Sequence, residues 1–374
     1  MLTVKITGLK SAAVIRRFIH DDNFITSANN AVEWTFKYHG APSGTILADE
    51  SQRDLAPFMG SELCTAVETG YSLAYLYHAL GTNSFADRAE LVIYNALPVM
   101  LTHDMWGHQY MSRPNGPWAQ RQLDRPSLFT TSGGMATVFG LEPQYPCCTV
   151  NHPQGYPKFL ANSWARAENG LAHVLLSPSV VNTTVPNVGR VVISCETNYP
   201  FSSTLEYAID SEAPFDFYIR LPSWAVASAS TLVVAKGAGA AEQVNITVSP
   251  DSKTGLQRVK LSSGKSRVIY IVGSAIRVEA RERGAVSVYV GNLLYALDVG
   301  EAITTSLPHR YFDAAGEGTR EFGGWDKVRD FYISNTKPVS FFLLFFWIPP
   351  TNRPYVCYRA RCCLLLFVAN QVHT

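Results

Sequence analysis

Four side chains able to hold a metal ion sit in two short runs of the sequence. Glu62 and Cys64 are two apart in Gly-Ser-Glu-Leu-Cys-Thr, and Cys147 and Cys148 are adjacent in Gln-Tyr-Pro-Cys-Cys-Thr-Val-Asn-His. Neighbouring cysteines do not reach ordinary disulfide geometry without a strained ring. Two adjacent thiols with a distant Cys and a carboxylate can instead surround one ion. Zinc favours thiolate sulfur and accepts carboxylate oxygen in a tetrahedral shell, so the set is a candidate site for a single zinc ion. Glu62 and Cys64 fall in the first turn of a predicted helix, where backbone N–H groups and the helix dipole favour anions. Cys147 and Cys148 fall on a predicted loop that can fold over that helix start. No Cys-x-x-Cys occurs, so the spacing is not that of a structural zinc finger. The competing reading is that these are ordinary buried thiols, which are common in cores.

Glu50, in Ala-Asp-Glu-Ser, is a second candidate carboxylate twelve residues before Glu62. Cleaving a glycosidic bond takes a carboxylic acid to protonate the leaving oxygen and a second group to attack the anomeric carbon or activate water. A Glu beside a metal–thiolate cluster is suited to the first role; a solvated loop Glu is the plainer alternative. Between the two runs lies a concentration of rings and amides: His103, Trp106, His108, Gln109, Tyr110, Asn115 and Trp118, with His152 after the Cys pair. Flat apolar faces and fixed polar groups are what a sugar site needs, although any single Trp or His has a structural use as well.

These residues must be positioned by helices. Ala12–His20 and Asn29–Tyr38 read as short amphipathic helices. A better one spans 61–80, where Leu63, Val67, Tyr71 and Ala74 recur at helical spacing, Ser61 is a candidate cap and Gly81 a candidate stop. Another is predicted over 84–101, with Ser84 as cap and Asp87 at its third position. Residues 102–152, rich in Gly, Pro and Asn, read as a long functional loop region, and 157–168 as helix again. After Gly170 the period becomes alternating. Strands are predicted over 171–181, 188–196, 215–221, 231–235, 257–261, 267–272, 276–280 and 285–297, suggesting an antiparallel sandwich or barrel with a domain boundary near residue 170.

Composition narrows the function classes. The chain has 374 residues, 47% hydrophobic and 16% charged, which suits a well-packed globular protein of two or three domains. Its net charge is +1 with no Lys/Arg cluster, which argues against a nucleic-acid partner. Seven cysteines, Cys64, Cys147, Cys148, Cys195, Cys357, Cys362 and Cys363, do not form a disulfide framework. The first residues lack the apolar stretch of a secretory signal, so the cytoplasm is the default expectation, and Asn182 and Asn245 are weak glycosylation candidates. Phe341–Ile348 is wholly apolar but falls short of the roughly 20 residues of a membrane span.

Several of these runs together resemble glycoside hydrolase family 127. The likeness lies in Ala-Asp-Glu at 48–50, Gly-Ser-Glu-Leu-Cys-Thr-Ala-Val-Glu at 60–68, Asp-Met-Trp-Gly-His-Gln-Tyr at 104–110 and Pro-Cys-Cys-Thr-Val-Asn at 146–151. It continues in Tyr-Ile-Arg-Leu-Pro-Ser-Trp-Ala at 218–225 and Arg-Asp-Phe-Tyr-Ile-Ser-Asn-Thr at 329–336, and covers roughly residues 11–338. The combination of Glu-x-Cys with a later Cys-Cys is its specific part. Characterised members are β-L-arabinofuranosidases, with a catalytic (α/α)6 barrel followed by β-sandwich domains. The resemblance therefore implies an α+β multidomain chain: a partial barrel over 1–170, a β-sandwich over 171–338 and a divergent apolar tail over 339–374. It implies zinc ligands Glu62, Cys64, Cys147 and Cys148, with Cys147 the nucleophile of a thioglycosyl intermediate and Glu50 the acid/base of a retaining reaction. Trp106, His108, Gln109, Tyr110 and His152 are the candidate substrate-binding groups for an arabinofuranoside-like carbohydrate. The family barrel has about twelve helices and residues 11–170 hold about half, so the N-terminal helices are expected to be missing. Residues 1–10 and 339–374 depart from the family pattern.

Two other classes fit the same residues. One is a non-catalytic carbohydrate-binding or degenerate relative that keeps the metal; the other is a thiol- or metal-responsive module built on the Cys pair.

Overall fold

A computed structural model describes residues 8–49, 51–56, 59–102, 104–113, 136, 139, 146–167, 169–236, 242–296, 302–305 and 329–332. Glu50, His103, Asn115, Trp118 and the apolar tail lie outside the described residues. Helices come first: α1 Ser11–Ile19, α2 Asn23–His39, α3 Leu63–Leu80, α4 Asn83–Leu91, a π-helical turn Val92–Ala96, α5 Leu97–Val99, α6 Pro146–Asn151 and α7 Gly155–Ala161. Strands follow, so the architecture is mixed, with several sheets and few helices.

Helix α3 is buried on almost every side, as its run of Leu, Ala and Val dictates, and forms the axis of the helical core. Its end is set by Gly81, whose φ of 68° permits the left-handed conformation that lets its N–H reach Tyr77 O. Its start differs from expectation. Glu62 occupies the cap position in an extended conformation, and Ser61 donates its hydroxyl to Ile46 O instead of capping. The helix predicted from 84 begins at Asn83 with Thr82 before it. Asp87 is drawn away to Arg220 and Ser223. α1 and α2 turn aromatic and aliphatic side chains outward: Ile15, Phe18, Ile19, Trp34 and Tyr38 are exposed. Among the described residues no helix is long and apolar enough to cross a membrane.

The expected helix over 157–168 is cut short. Ala161 ends α7, and β3 (Trp164–Ala167) pairs antiparallel with β4 (Gly170–His173). A four-stranded sheet in the order β11-β8-β4-β3 faces a six-stranded sheet in the order β10-β9-β12-β7-β6-β5. The additional strands are β5 Ser179–Val185, β6 Gly189–Thr197, β7 Thr204–Ser211, β8 Phe215–Arg220, β9 Thr231–Lys236, β10 Glu242–Ile246, β11 Leu256–Leu261 and β12 Gly264–Ile271. β7 and β10 are strands that the sequence reading missed. Alternation drives the packing: Val191, Ile193, Leu205, Tyr207, Val268 and Tyr270 of one sheet share an apolar cluster with Phe217, Ile219, Val259 and Leu261 of the other. One pair, β4 with β8, is parallel, contrary to a purely antiparallel expectation. Gly170 permits it, because a Cβ there would sit 1.9 Å from Asp216 O. A three-stranded sheet, β13 Ile276–Ala280, β14 Val286–Val290 and β15 Leu293–Tyr295, docks through Asn95 of the π turn. That side chain donates to Asn292 O at 2.9 Å and accepts from Leu294 N at 2.8 Å.

Arg220, fully buried at the end of β8, ties the strands to α4. Its guanidinium donates to Val174 O at 2.6 Å, Asn83 Oδ1 at 3.0 Å and Asp87 Oδ1 at 2.5 Å, and it pairs with Glu90. Glu90 is equally buried and also receives Leu176 N and the Tyr199 hydroxyl at 2.7 Å each. Replacing Arg220→Met strands two acids in the interior. We expect a loss of about 3–5 kcal/mol, measured by urea unfolding.

His173, in register with Ile219, points the other way, toward the six-stranded sheet, stacked on Trp164 at 4.4 Å with Nδ1 2.9 Å from the Tyr207 hydroxyl. Burial, reinforced by the nearby Arg220 charge, pushes its pKa down from 6.5 to about 3. Between those values the unfolded chain binds a proton that the folded protein refuses. Stability therefore falls as pH drops through this window, by about 1.4 kcal/mol per unit from this group. Unfolding free energies measured from pH 6.5 to pH 4 should show a shallower acid limb in His173→Gln, by about one proton.

Candidate metal centre

Glu62 ends β1 (Ser61–Glu62), which pairs with β2 (Met111–Ser112) in the register Glu62↔Met111. Its N–H reaches Ala48 O at 2.8 Å, and the next amide, Leu63 N, reaches Tyr110 O at 2.9 Å. This carboxylate thus stands on backbone pinned from two sides. Cys64 follows in the first turn of α3.

Cys147 and Cys148 are on a helix, not the loop expected. α6 begins at Pro146, whose fixed φ suits a first helical turn, and runs six residues. Both cysteines therefore sit at a helix start, as Cys64 does. Two helix N-termini converge on one cluster, where partial positive charge favours thiolate and carboxylate.

The ligand atoms of Glu62, Cys64, Cys147 and Cys148 all lie within 4.8 Å of one another. Cys64 Sγ is 3.3 Å from Cys148 Sγ, and Glu62 Oε1 is 3.8 Å from Cys147 Sγ and 3.9 Å from Cys148 Sγ. Zn–S bonds of about 2.3 Å in a tetrahedron place sulfurs about 3.8 Å apart. The spacing and the three-sulfur, one-oxygen donor set both fit one zinc ion. Glu62, Cys64 and Cys148 are buried, and Cys147 is exposed. Hydrogen bonds from the Cys148 and Cys64 thiols pull the Cys147 pKa down. Its neighbours move the other way: Cys64 is raised chiefly through its hydrogen bond with Cys147, and Cys148 chiefly through burial.

The remaining candidates separate into two groups. His108, Gln109 and Tyr110 are buried just before β2, with Gln109 N held by Met100 O at 2.8 Å. The His108 and His152 rings lie 5.2 Å apart, and a His152 ring nitrogen is 3.0 Å from Met105 O. Burial pushes the His152 pKa down, so the ring is neutral near pH 7. Trp106 is 61% exposed on a turn closed by Thr102 and Asp104. Glu50 lies outside the described residues, but its flanks are well held. Arg53 grips Asp49 with two hydrogen bonds, at 3.1 and 2.6 Å, and Ala48 N binds Gly60 O at 2.9 Å. Asn151, not singled out from sequence, donates to Cys64 Sγ at 3.1 Å. Its place four residues after Cys147 would have marked it, had the segment been read as helix.

No protein-family model matches the chain, and no curated protein matches it. Solved structures do. A family 127 β-L-arabinofuranosidase from Geobacillus stearothermophilus T6 superposes with a TM-score of 0.61 at 14% identity, over 82% of this chain and 50% of that one. The fold is similar to that of these family 127 enzymes. A family 127 β-arabinofuranosidase gives 0.60 at 15% identity, over 87% and 56%, and a structure described as a glycoside hydrolase gives 0.60 at 13%, over 83% and 56%. The chain spans about half the length of these three structures.

The geometry ranks the thiols by reactivity. Brief treatment with iodoacetamide should carbamidomethylate Cys147 before Cys64 or Cys148, and added Zn2+ should slow it, as read by peptide mass spectrometry. Equal labelling of the three would contradict the arrangement.

Proposed function

We propose that this chain is a retaining glycoside hydrolase of the β-L-arabinofuranosidase type. The observation that carries the reading is the convergence of Glu62, Cys64, Cys147 and Cys148 within 4.8 Å on a family 127 fold. Bound through these four residues, a zinc ion would keep the sulfurs deprotonated near neutral pH and fix their orientation.

The exposed Cys147 sulfur attacks the anomeric carbon as the glycosidic C–O bond breaks, and Glu50 delivers its proton to the departing oxygen. The sugar is then held on Cys147 by a C–S bond. Glu50, now a carboxylate, takes a proton from water. The water oxygen displaces sulfur, regenerating thiolate and sugar with two inversions and net retention. Because the thiolate is already formed, no separate base is needed for the first step. The tie between Ala48 and both Gly60 and Glu62 supports this assignment of Glu50, since it holds the backbone beside Glu50 to the strand that carries Glu62. Neutral His152 and buried His108, Gln109 and Tyr110 supply fixed polar groups for a furanose, and Trp106 a flat face. In this reading the helices over 1–170 are part of an (α/α)6 barrel, 171–338 a β-sandwich domain, and 339–374 a divergent tail.

The test is hydrolysis of an aryl β-L-arabinofuranoside by the zinc-loaded protein. Cys147→Ala should abolish turnover, and Glu50→Gln should lower kcat by about 10²–10⁴-fold. Sugar and zinc binding without any turnover would replace this reading with a non-catalytic carbohydrate-binding relative.

A further inference from the structure

The four candidate ligands do not account for every polar contact of the cluster. The Asn151 side-chain amide donates to Cys64 Sγ at 3.1 Å. Asn151 is the last residue of α6, one turn beyond Cys147, so the helix that presents the Cys pair also fixes this amide. Cys64 Sγ is thereby engaged from two directions, by Asn151 and by Cys148 Sγ at 3.3 Å, whereas Cys147 faces outward. An N–H donor on a ligating atom orients it and draws electron density from it, as partners behind metal ligands generally do.

We propose that Asn151 is a positioning residue of the metal centre. Its amide holds Cys64 in the ligand set and depletes that sulfur of electron density, leaving Cys147 the more electron-rich, outward sulfur. The inference rests on the reading of Glu62, Cys64, Cys147 and Cys148 as metal ligands. Asn151 reaches no reacting atom itself and acts through Cys64.

Co2+ is a suitable probe, because its sulfur-to-metal charge-transfer band reports on the ligand sulfurs without turnover. The full chain should bind one Co2+. Asn151→Ala should weaken that binding about 10- to 100-fold. It should also move the band to longer wavelength, since a sulfur without its donor is more easily oxidised. Asn151→Leu has nearly the same branched shape but offers no donor and no charge; a shift in the same direction separates the lost hydrogen bond from lost volume. It also carries the test alone if Asn151→Ala does not fold, as judged by circular dichroism. Folded variants with wild-type affinity and an unshifted band overturn the role of Asn151 and leave the metal centre standing. A wild-type chain that takes up no Co2+ overturns both.

Discussion

A guanidinium sealed inside a protein must be neutralised and fully hydrogen-bonded, and the arrangement around Arg220 follows from that requirement. Asp87 and Glu90 lie one turn apart on α4, and Arg220 ends β8. Satisfying the fork fixes the helix against the strand, and Glu90 then has oxygens left for Leu176 N and the Tyr199 hydroxyl. Val174 O completes the cage. Leu80, three residues before α4 begins, ends α3, so the same constraint orients the helix that carries Cys64 in its first turn.

From there the site is a matter of helix beginnings. α3 starts at Leu63 because Glu62 is held extended by its neighbours Ala48 and Met111, and α6 starts at Pro146. Placing both starts against one another collects three sulfurs and a carboxylate at the positive ends of two helix dipoles. A cluster with that much potential negative charge is sustainable beside helix termini or a cation, and costly in a neutral core. This separates the trio from Cys195, a buried thiol in the apolar cluster of the β layer.

Much of this was legible. The period of Leu63, Val67 and Ala74 and the stop at Gly81 mark α3, β13 lies at its expected limits, and the Glu-x-Cys and Cys-Cys runs contain the four side chains that the fold brings together. The misses have physical causes. α6 is too short for periodicity to reveal, so its Pro read as loop. Trp164–Ala167 is a strand only because β4 lies beside it, a tertiary effect. The parallel β4–β8 pair joins segments far apart in sequence, and nothing local announces it. β7 did carry a signal, with Leu205, Tyr207 and Ile209 alternating with Glu206, Ala208 and Asp210. No pattern foretold Arg220, since a charged residue in a strand ordinarily reads as solvent-facing.

The brevity of α6 carries a thermodynamic consequence. Six residues cannot sustain a helix alone in water, so its order is borrowed from its surroundings. Any ion held by Cys147 and Cys148 therefore stabilises the helix by the same free energy that the helix lends to ion binding. Local opening of this segment and ion occupancy would then be one linked equilibrium, in which free ion concentration sets how often Cys147 and Cys148 are held in helical order.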